Sequence, residues 1–402
     1  MALRRLMPAA LGAIFAIVPL FPSFIALTAV GFPGLSLVPR PMMFVTLAFC
    51  GLLAIYAIAT LARWSLQAQP LLLPLLAVFS AGVTAGVAGF NPIAGAVFTG
   101  IGGLGIVWHC SVMRFYADRY AATTIYASFL TSGILAAAAA VAMVVSRFPA
   151  AQYTLQHGRA TGTFILPGEL AGFLIVLIPM AYALARIARP RSLRALGWTA
   201  CAVGLIALGM TYSRAGWMGF AAAIAFLCAV RTRRTGLAAL VVLAGIAAVL
   251  LLFNAHHDPS EDYTRLSIWQ AAVQIADRFP LTGVGPFNFS RLYEVVRAPD
   301  GDATAFHAHS LYLTFLVEFG ILGSAAVVWT MWRFAAELRR RLANAAAPEA
   351  FLSLAITAGL VGVAVQGLID TVTVVIFGLW MPIMALALAT AAGGDRSPAI
   401  DA

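Results

Sequence analysis

The 402-residue sequence is 62% hydrophobic and only 10% charged, with a mean hydropathy of +0.94. A soluble domain carries about a quarter charged residues, so this composition excludes a soluble enzyme or binding module and marks a polytopic membrane protein. The formal charge is +10 and every basic side chain is arginine; without lysine, that residue is excluded as nucleophile, general base or phosphate ligand.

In chain order, apolar segments fall at approximately 10–31, 42–62, 71–89, 93–112, 121–146, 165–186, 195–211, 215–230, 236–253, 309–332, 350–370 and 373–392. Each is near the ~20 residues that cross a bilayer, which predicts an all-α polytopic integral membrane protein with about 12 transmembrane helices. Arg4 and Arg5 followed by the apolar run Leu11 to Val30 resemble a signal peptide. The run exceeds the usual apolar core of about 7–15 residues, so it is read as a first span. Three regions follow: 1–253 holds spans one to nine with a short loop near 147–164, 254–308 forms a large outer loop, and 309–402 holds the last three spans and the C-terminus.

Arginines set the orientation. With the N-terminus inside, Arg186 to Arg194, Arg231 to Arg234 and Arg339 to Arg341 cluster on inner connections, and both termini are inside. The outer connections hold only Arg40, Arg147, Arg159, Arg214, Arg265, Arg278, Arg291 and Arg297, against the trend. Arg214 is the most informative of them. It sits in Thr211-Tyr212-Ser213-Arg214-Ala215-Gly216, between the apolar runs Leu196 to Met210 and Trp217 to Ala229. A guanidinium held at a membrane boundary in so short a turn points to an anionic partner.

The outer loop is structured rather than a linker. Asp258-Pro259-Ser260-Glu261 carries an acidic N-cap, proline at the first helical position and glutamate at the third. A helix is expected to run to Arg278 with Leu266, Trp269, Val273 and Ala276 along one apolar stripe, ending in Phe279 to Pro286, rich in glycine and proline. The four cysteines, Cys50, Cys110, Cys201 and Cys228, lie in apolar runs without the spacing of a disulfide framework or zinc site. His256-His257-Asp258 and Asp300-Gly301-Asp302 have poor chelating geometry and read as turns, so no metal, no other cofactor and no nucleic-acid partner is expected.

Arg214, Arg265 and His309 converge on the outer face in this topology, with Asp370 at the outer end of the eleventh span. His307 is the rival to His309, but stands two residues earlier and is expected to point elsewhere. Glu169 and Gln366 are weaker candidates of the same kind as Asp370.

Several motifs then carry a resemblance: Thr161 to Phe164, Tyr212 to Trp217, Arg265 to Trp269, Phe279 to Asn288, His309 to Leu313, and Glu318 to Gly323. In this order the chain from about 159 to 325 resembles the bacterial O-antigen ligase and polymerase superfamily, apart from Ser310 where the family commonly has asparagine. The resemblance implies a glycosyltransferase with its site on the periplasmic face of the bacterial inner membrane. Its donor would be an O-antigen glycan on undecaprenyl diphosphate and its acceptor lipid A–core, both met among membrane lipids. Arg214 and Arg265 would hold the leaving diphosphate, and His309, kept neutral near them at a helix N-terminus, would act as general base. A single displacement without a metal would invert the anomeric centre. Arg147, Arg159, Tyr212 and Asp370 complete the expected substrate-binding set. The polymerase branch is the near alternative. The lack of a large soluble C-terminal domain is read against the protein-glycosylating branch. A lipid-linked glycan transporter is a more distant alternative, because it would carry charges to the middle of its spans.

Overall fold

The structure is a computed structural model and describes residues 12, 69–116, 119–232, 235–252, 259–299, 301–303, 305–370 and 376–393. The segments expected at 10–31 and 42–62 lie outside these, save residue 12. All regular structure among the described residues is helical, and each of the other ten expected spans falls on a helix. The first part comprises α1 (Leu72–Ala88), α2 (Pro92–Phe115), α3 (Arg119–Ser146), the short α4 (Ala150–Leu155), α5 (Pro167–Ile187), α6 (Arg191–Met210), α7 (Arg214–Thr232) and α8 (Thr235–Leu252). There follow α9 (Pro259–Arg278), α10 (Phe289–Val296), α11 (Leu311–Leu342), α12 (Ala347–Gln366) and α13 (Ile376–Ala392). Among the described residues seven helices, α2, α3, α5, α6, α7, α11 and α12, are long and apolar enough to cross a membrane. Shorter apolar helices run over Leu72–Ala88, Gly236–Ala247 and Met381–Ala392. The architecture is that of a polytopic helical membrane protein.

Helix α5 is the centre of the bundle. Nearly every residue from Leu170 to Ala185 is buried, and α6, α7 and α12 pack around it. Between apolar helices in lipid the driving force is close packing, which the alanine- and glycine-rich faces of these helices permit. Arginines gather at one end: Arg114, Arg186, Arg231 and Arg339 to Arg341 all stand in the last turns of their helices. There Glu337 binds Arg340 at 2.7 Å and also Arg341, and Arg231 lies over the Phe351 ring. Cations in the last turn also meet the negative end of the helix dipole.

At the opposite end, the segment between α8 and α11 folds around an apolar core of its own. Ile268, Ala271, Ala272 and Ile275 of α9 pack with Val284, Phe289, Tyr293, Ala308 and Val317. This corrects the expected stripe on α9. Its start at Pro259 and end at Arg278 match the expectation, whereas Asp258 of the expected cap lies outside the described residues. Ala276 is buried, but Leu266 and Val273 are about half exposed, and the buried face is turned to Ile268 and Ile275. The reason is that α9 packs against the loop and α11 rather than presenting its largest residues inward.

The segment Phe279 to Pro286 meets α11 where that helix is broken. Gly320 has φ 62° and ψ −165°, a combination open essentially to glycine alone. An unbroken helix would pair Ile321 and Leu322 N–H groups with the Val317 and Glu318 carbonyls. Instead Ile321 and Leu322 donate to Pro280 and Leu281 at 2.8 and 3.2 Å. The freed carbonyls of Val317 and Glu318 accept from Val284 and Gly285 at 2.9 and 3.0 Å. Buried non-helical backbone is tolerated only when its polar groups find such partners. The approach leaves no room for side chains: a Cβ on Gly320 would stand 2.3 Å from the Leu281 carbonyl oxygen. Gly320→Ala is therefore expected to destabilise the protein by about 1–3 kcal/mol or more. Thermal unfolding in detergent measures this, and a wild-type midpoint would contradict the assigned backbone.

Candidate functional site

The site is assembled from three short pieces of chain. The first is the turn between α6 and α7. Thr211 closes α6, Tyr212 takes a left-handed backbone at φ 48°, and Ser213 caps α7 by accepting the Gly216 N–H at 3.0 Å. Arg214 is thereby the first residue of α7, at the positive end of its dipole. The expected ligand Arg159 works on this turn: its Nε donates to the Thr211 carbonyl at 3.0 Å, and Ala160 N–H donates to Met210.

The second piece is the first half of α9. Asp262 and Arg265 lie three residues apart on one face, and Asp262 reaches both arginines. Its Oδ1 is 3.0 Å from Nη2 of Arg214 and 3.5 Å from Nη1 of Arg265. Arg214 and Arg265 therefore converge on a single carboxylate oxygen, and their side chains are only 25% and 29% exposed. Asp262 was not among the sequence candidates; its i,i+3 spacing from Arg265 was the available signal.

The third piece runs from His307 to Leu311. His307 is buried and its ring lies edge-on to that of His309, with centroids 4.2 Å apart. The expectation that His307 points elsewhere is corrected, because His309 adopts φ 47° and this turns the two rings together. The His309 backbone N–H donates to His307 Nδ1 at 3.1 Å. With Nδ1 accepting, a neutral His307 carries its proton on Nε2. Burial, then His309 and Arg265, push the His307 pKa well below its ordinary 6.5. Arg265 is near enough to His307 to add to that lowering. His309 itself is half-buried and so remains accessible.

Beyond His309, α11 starts on the end of α12. Leu311 N–H donates to the carbonyls of Gly367 and Asp370 at 2.8 and 3.1 Å. Asp370 is thus brought to the foot of the His309 turn, its carboxylate against Gly168. Gln366 donates to the Gly168 carbonyl at 2.8 Å, so it holds the start of α5. Glu169 accepts the Ile165 and Leu166 N–H groups at 3.2 and 3.4 Å, an N-terminal cap of α5. Arg147 is exposed at the end of α3 with φ 55°, and no hydrogen bond joins it to the other candidates. Among the described residues no three His, Cys, Asp or Glu side chains group as a metal site; His256, His257, Asp258 and Asp300 lie outside them.

An apolar cavity of about 240 Å³ opens beside the His309 turn. It begins at Leu311 and Tyr312, passes Phe79, Phe98 and Phe315, and continues along α11 to Met331 and across to Pro382 and Leu386 of α13. Leu311 to Met331 spans about 30 Å of helix at 1.5 Å per residue, close to the thickness of a bilayer core.

Residues 199–328 match the family model described as O-Antigen ligase. The match runs from α6 into α11 and contains Arg214, Asp262, Arg265, His307, His309 and the break at Gly320. No curated protein matches the chain.

The histidine pair has a measurable signature. Folding holds His307 neutral, so below pH 6.5 the unfolded chain binds a proton that the folded chain does not. Stability then falls as pH drops below 6.5, by at most about 1.4 kcal/mol per pH unit from this group. His307→Asn, which keeps an acceptor for the His309 N–H but cannot titrate, is expected to flatten that fall in denaturation measured across this range. An unchanged pH dependence would remove His307 as its cause.

Proposed function

We propose that this chain, whose residues 199–328 match the family model described as O-Antigen ligase, is a member of the O-antigen ligase and polymerase superfamily that transfers a glycan from undecaprenyl diphosphate to lipid A–core. The reaction takes place at the periplasmic face of the bacterial inner membrane. The observation that carries the reading is the convergence of Arg214 and Arg265 on one anionic oxygen, with Arg265 near enough to His307 to lower its pKa. Breaking a sugar–diphosphate bond leaves negative charge on the diphosphate. Two guanidinium groups aimed at one point stabilise that charge by charge-assisted hydrogen bonds. The N-terminus of α7 adds its dipole at the same place.

His309 accepts the proton of the attacking acceptor hydroxyl, because it is the accessible member of the pair; His307 holds the His309 backbone through Nδ1. The hydroxyl oxygen forms the new glycosidic bond while the bond to the diphosphate breaks, a single displacement that inverts the anomeric carbon. Asp370, at the base of the same turn, helps orient it, and Tyr212 lines the diphosphate side. The apolar cavity along α11 takes part of the polyprenyl tail, which leads the diphosphate to Arg214 and Arg265. Arg159 acts through the turn it braces, and Arg147 is left for the acceptor's core phosphates.

The test is transfer from lipid-linked glycan to lipid A–core by purified protein in detergent containing EDTA. Arg214→Ala, Arg265→Ala and His309→Ala are each expected to lower the rate by about 10²-fold or more while the protein stays inserted and folded. Full activity in both arginine variants would overturn the diphosphate assignment. Wild-type protein that extends a second lipid-linked glycan but leaves lipid A–core untouched would be a polymerase.

A further inference from the structure

We infer that the end of the bundle opposite the His309 turn binds one anionic phospholipid, with its phosphate among Arg186, Arg194 and Arg231 and a chain on the rings of Tyr182 and Trp198. The inference stands apart from the transfer chemistry proposed above. Its starting point is an opening in the packing of α5. From Leu170 to Ala185 every residue of that helix is buried except Tyr182, which is 41% exposed. The Tyr182 ring meets Trp198 of α6 and Phe351 of α12 edge-on, in each case with centroids 6.0 Å apart. Trp198 is 49% exposed, while Phe351 is buried and carries the Arg231 guanidinium 3.5 Å from its ring centre. Four helices, α5, α6, α7 and α12, thus contribute one continuous group of rings closed by a cation. Arg186 follows Tyr182 by four residues and Arg194 precedes Trp198 by four. Each therefore lies one turn nearer the arginine-rich end, on the same helix face as its ring.

The charge of this group is not balanced within the described fold. Arg186, Arg194 and Arg231 are exposed, and among the described residues no carboxylate pairs with any of them. At the same end Arg340 and Arg341 are taken by Glu337. Glu349 stands two residues before Phe351, and so on the far side of α12. A guanidinium stacked on a ring still presents its N–H edges, the geometry that takes a phosphate by two parallel hydrogen bonds. Exposed tyrosine and tryptophan belong at the boundary between headgroups and chains, and arginines at that boundary favour anionic lipid. A soluble anion would use the arginines but leave the rings bare, so the two together select a lipid. The helices gathered here lead to the turns of the candidate site. Arg214 stands about 25 Å from Arg231 along α7, α6 closes at Thr211, and α12 ends beside the Gly367 carbonyl that accepts from Leu311. A seated lipid ties the near ends of all four helices together and stabilises the bundle that sets those turns.

The experiment takes purified full-length protein in a neutral detergent and adds phosphatidylglycerol, phosphatidylcholine or inorganic phosphate. Native mass spectrometry counts the lipid retained, and thermal unfolding gives the midpoint. Phosphatidylglycerol is expected to be retained by the wild-type chain and to raise the midpoint by about 2–5 °C at saturation. Phosphatidylcholine and inorganic phosphate should do neither. Arg231→Ala and the Arg186→Ala/Arg194→Ala pair should weaken retention of phosphatidylglycerol by about fivefold per arginine removed. Trp198→Ala should weaken it with the charges intact. Arg339→Ala, which removes an exposed arginine at the same end of the bundle but outside the ring group, should leave it unchanged. Equal retention of the two lipids, or a loss in Arg339→Ala as large as in Arg231→Ala, would leave only general lipid contact and overturn the site. The same gain in midpoint from inorganic phosphate would make the ligand a soluble anion and overturn the lipid. Unchanged retention in the arginine variants or in Trp198→Ala would overturn the inference as well.

Discussion

The break in α11 at Gly320 is the constraint on which the rest of the site depends. Two helical hydrogen bonds are given up there, and all four polar groups they release are taken by the backbone of residues 280–285. In an apolar surrounding that exchange is close to obligatory, because an unpaired buried amide or carbonyl is costly. It locks the Phe279 to Pro286 loop to the transmembrane bundle and so fixes the end of α9. Glu318, buried at the break, faces the N–H groups of Phe287 and Phe289 and extends the same lock by one more turn of chain. The arginine on α9 and the histidine before α11 are placed by a single backbone junction.

Much of this was legible in the sequence. Hydropathy located the described helices other than α4, α9 and α10, since a run of about 20 apolar residues has few alternatives in a bilayer. Positive charge on one set of connections agrees with the arginines found in the last turns of α2, α5, α7 and α11. Arg214, Arg265 and His309 were singled out from charge placement and motif resemblance; Arg214 and Arg265 meet at Asp262, and His309 meets His307. What escaped the sequence depends on backbone geometry. His307 looked misdirected because a two-residue separation normally turns a side chain away; the left-handed φ of His309 reverses that. The buried face of α9 was misread because large residues were assumed to point inward, whereas Leu266 and Val273 are left about half exposed. Asp262 offered only its i,i+3 spacing from Arg265, and its contact with Arg214, 48 residues away, could be found only in the fold.

The distribution of roles among the arginines follows from what each guanidinium already holds. Arg159 holds a turn carbonyl, Arg291 donates to the Phe90 carbonyl at 3.2 Å, and Arg297 donates to Gly301. These hydrogen bonds to backbone stitch the connections together. Arg214 and Arg265 differ in meeting a carboxylate, that of Asp262. In a chain without lysine, one residue type supplies both kinds of contact, to backbone carbonyls and to a carboxylate.

The link from Arg291 to Phe90 has a mechanical consequence, reinforced by the edge-on contact of Phe90 with Phe279 at 5.4 Å. Phe90 stands in the tight turn joining α1 to α2, and these two helices form one wall of the apolar cavity. The turn is thereby fastened to the loop that locks onto α11, which forms the opposite wall. Phe279 directly follows α9, so the turn between α1 and α2 and the end of α9 are held to each other by one ring contact, and a substitution at Phe90 removes a support from both.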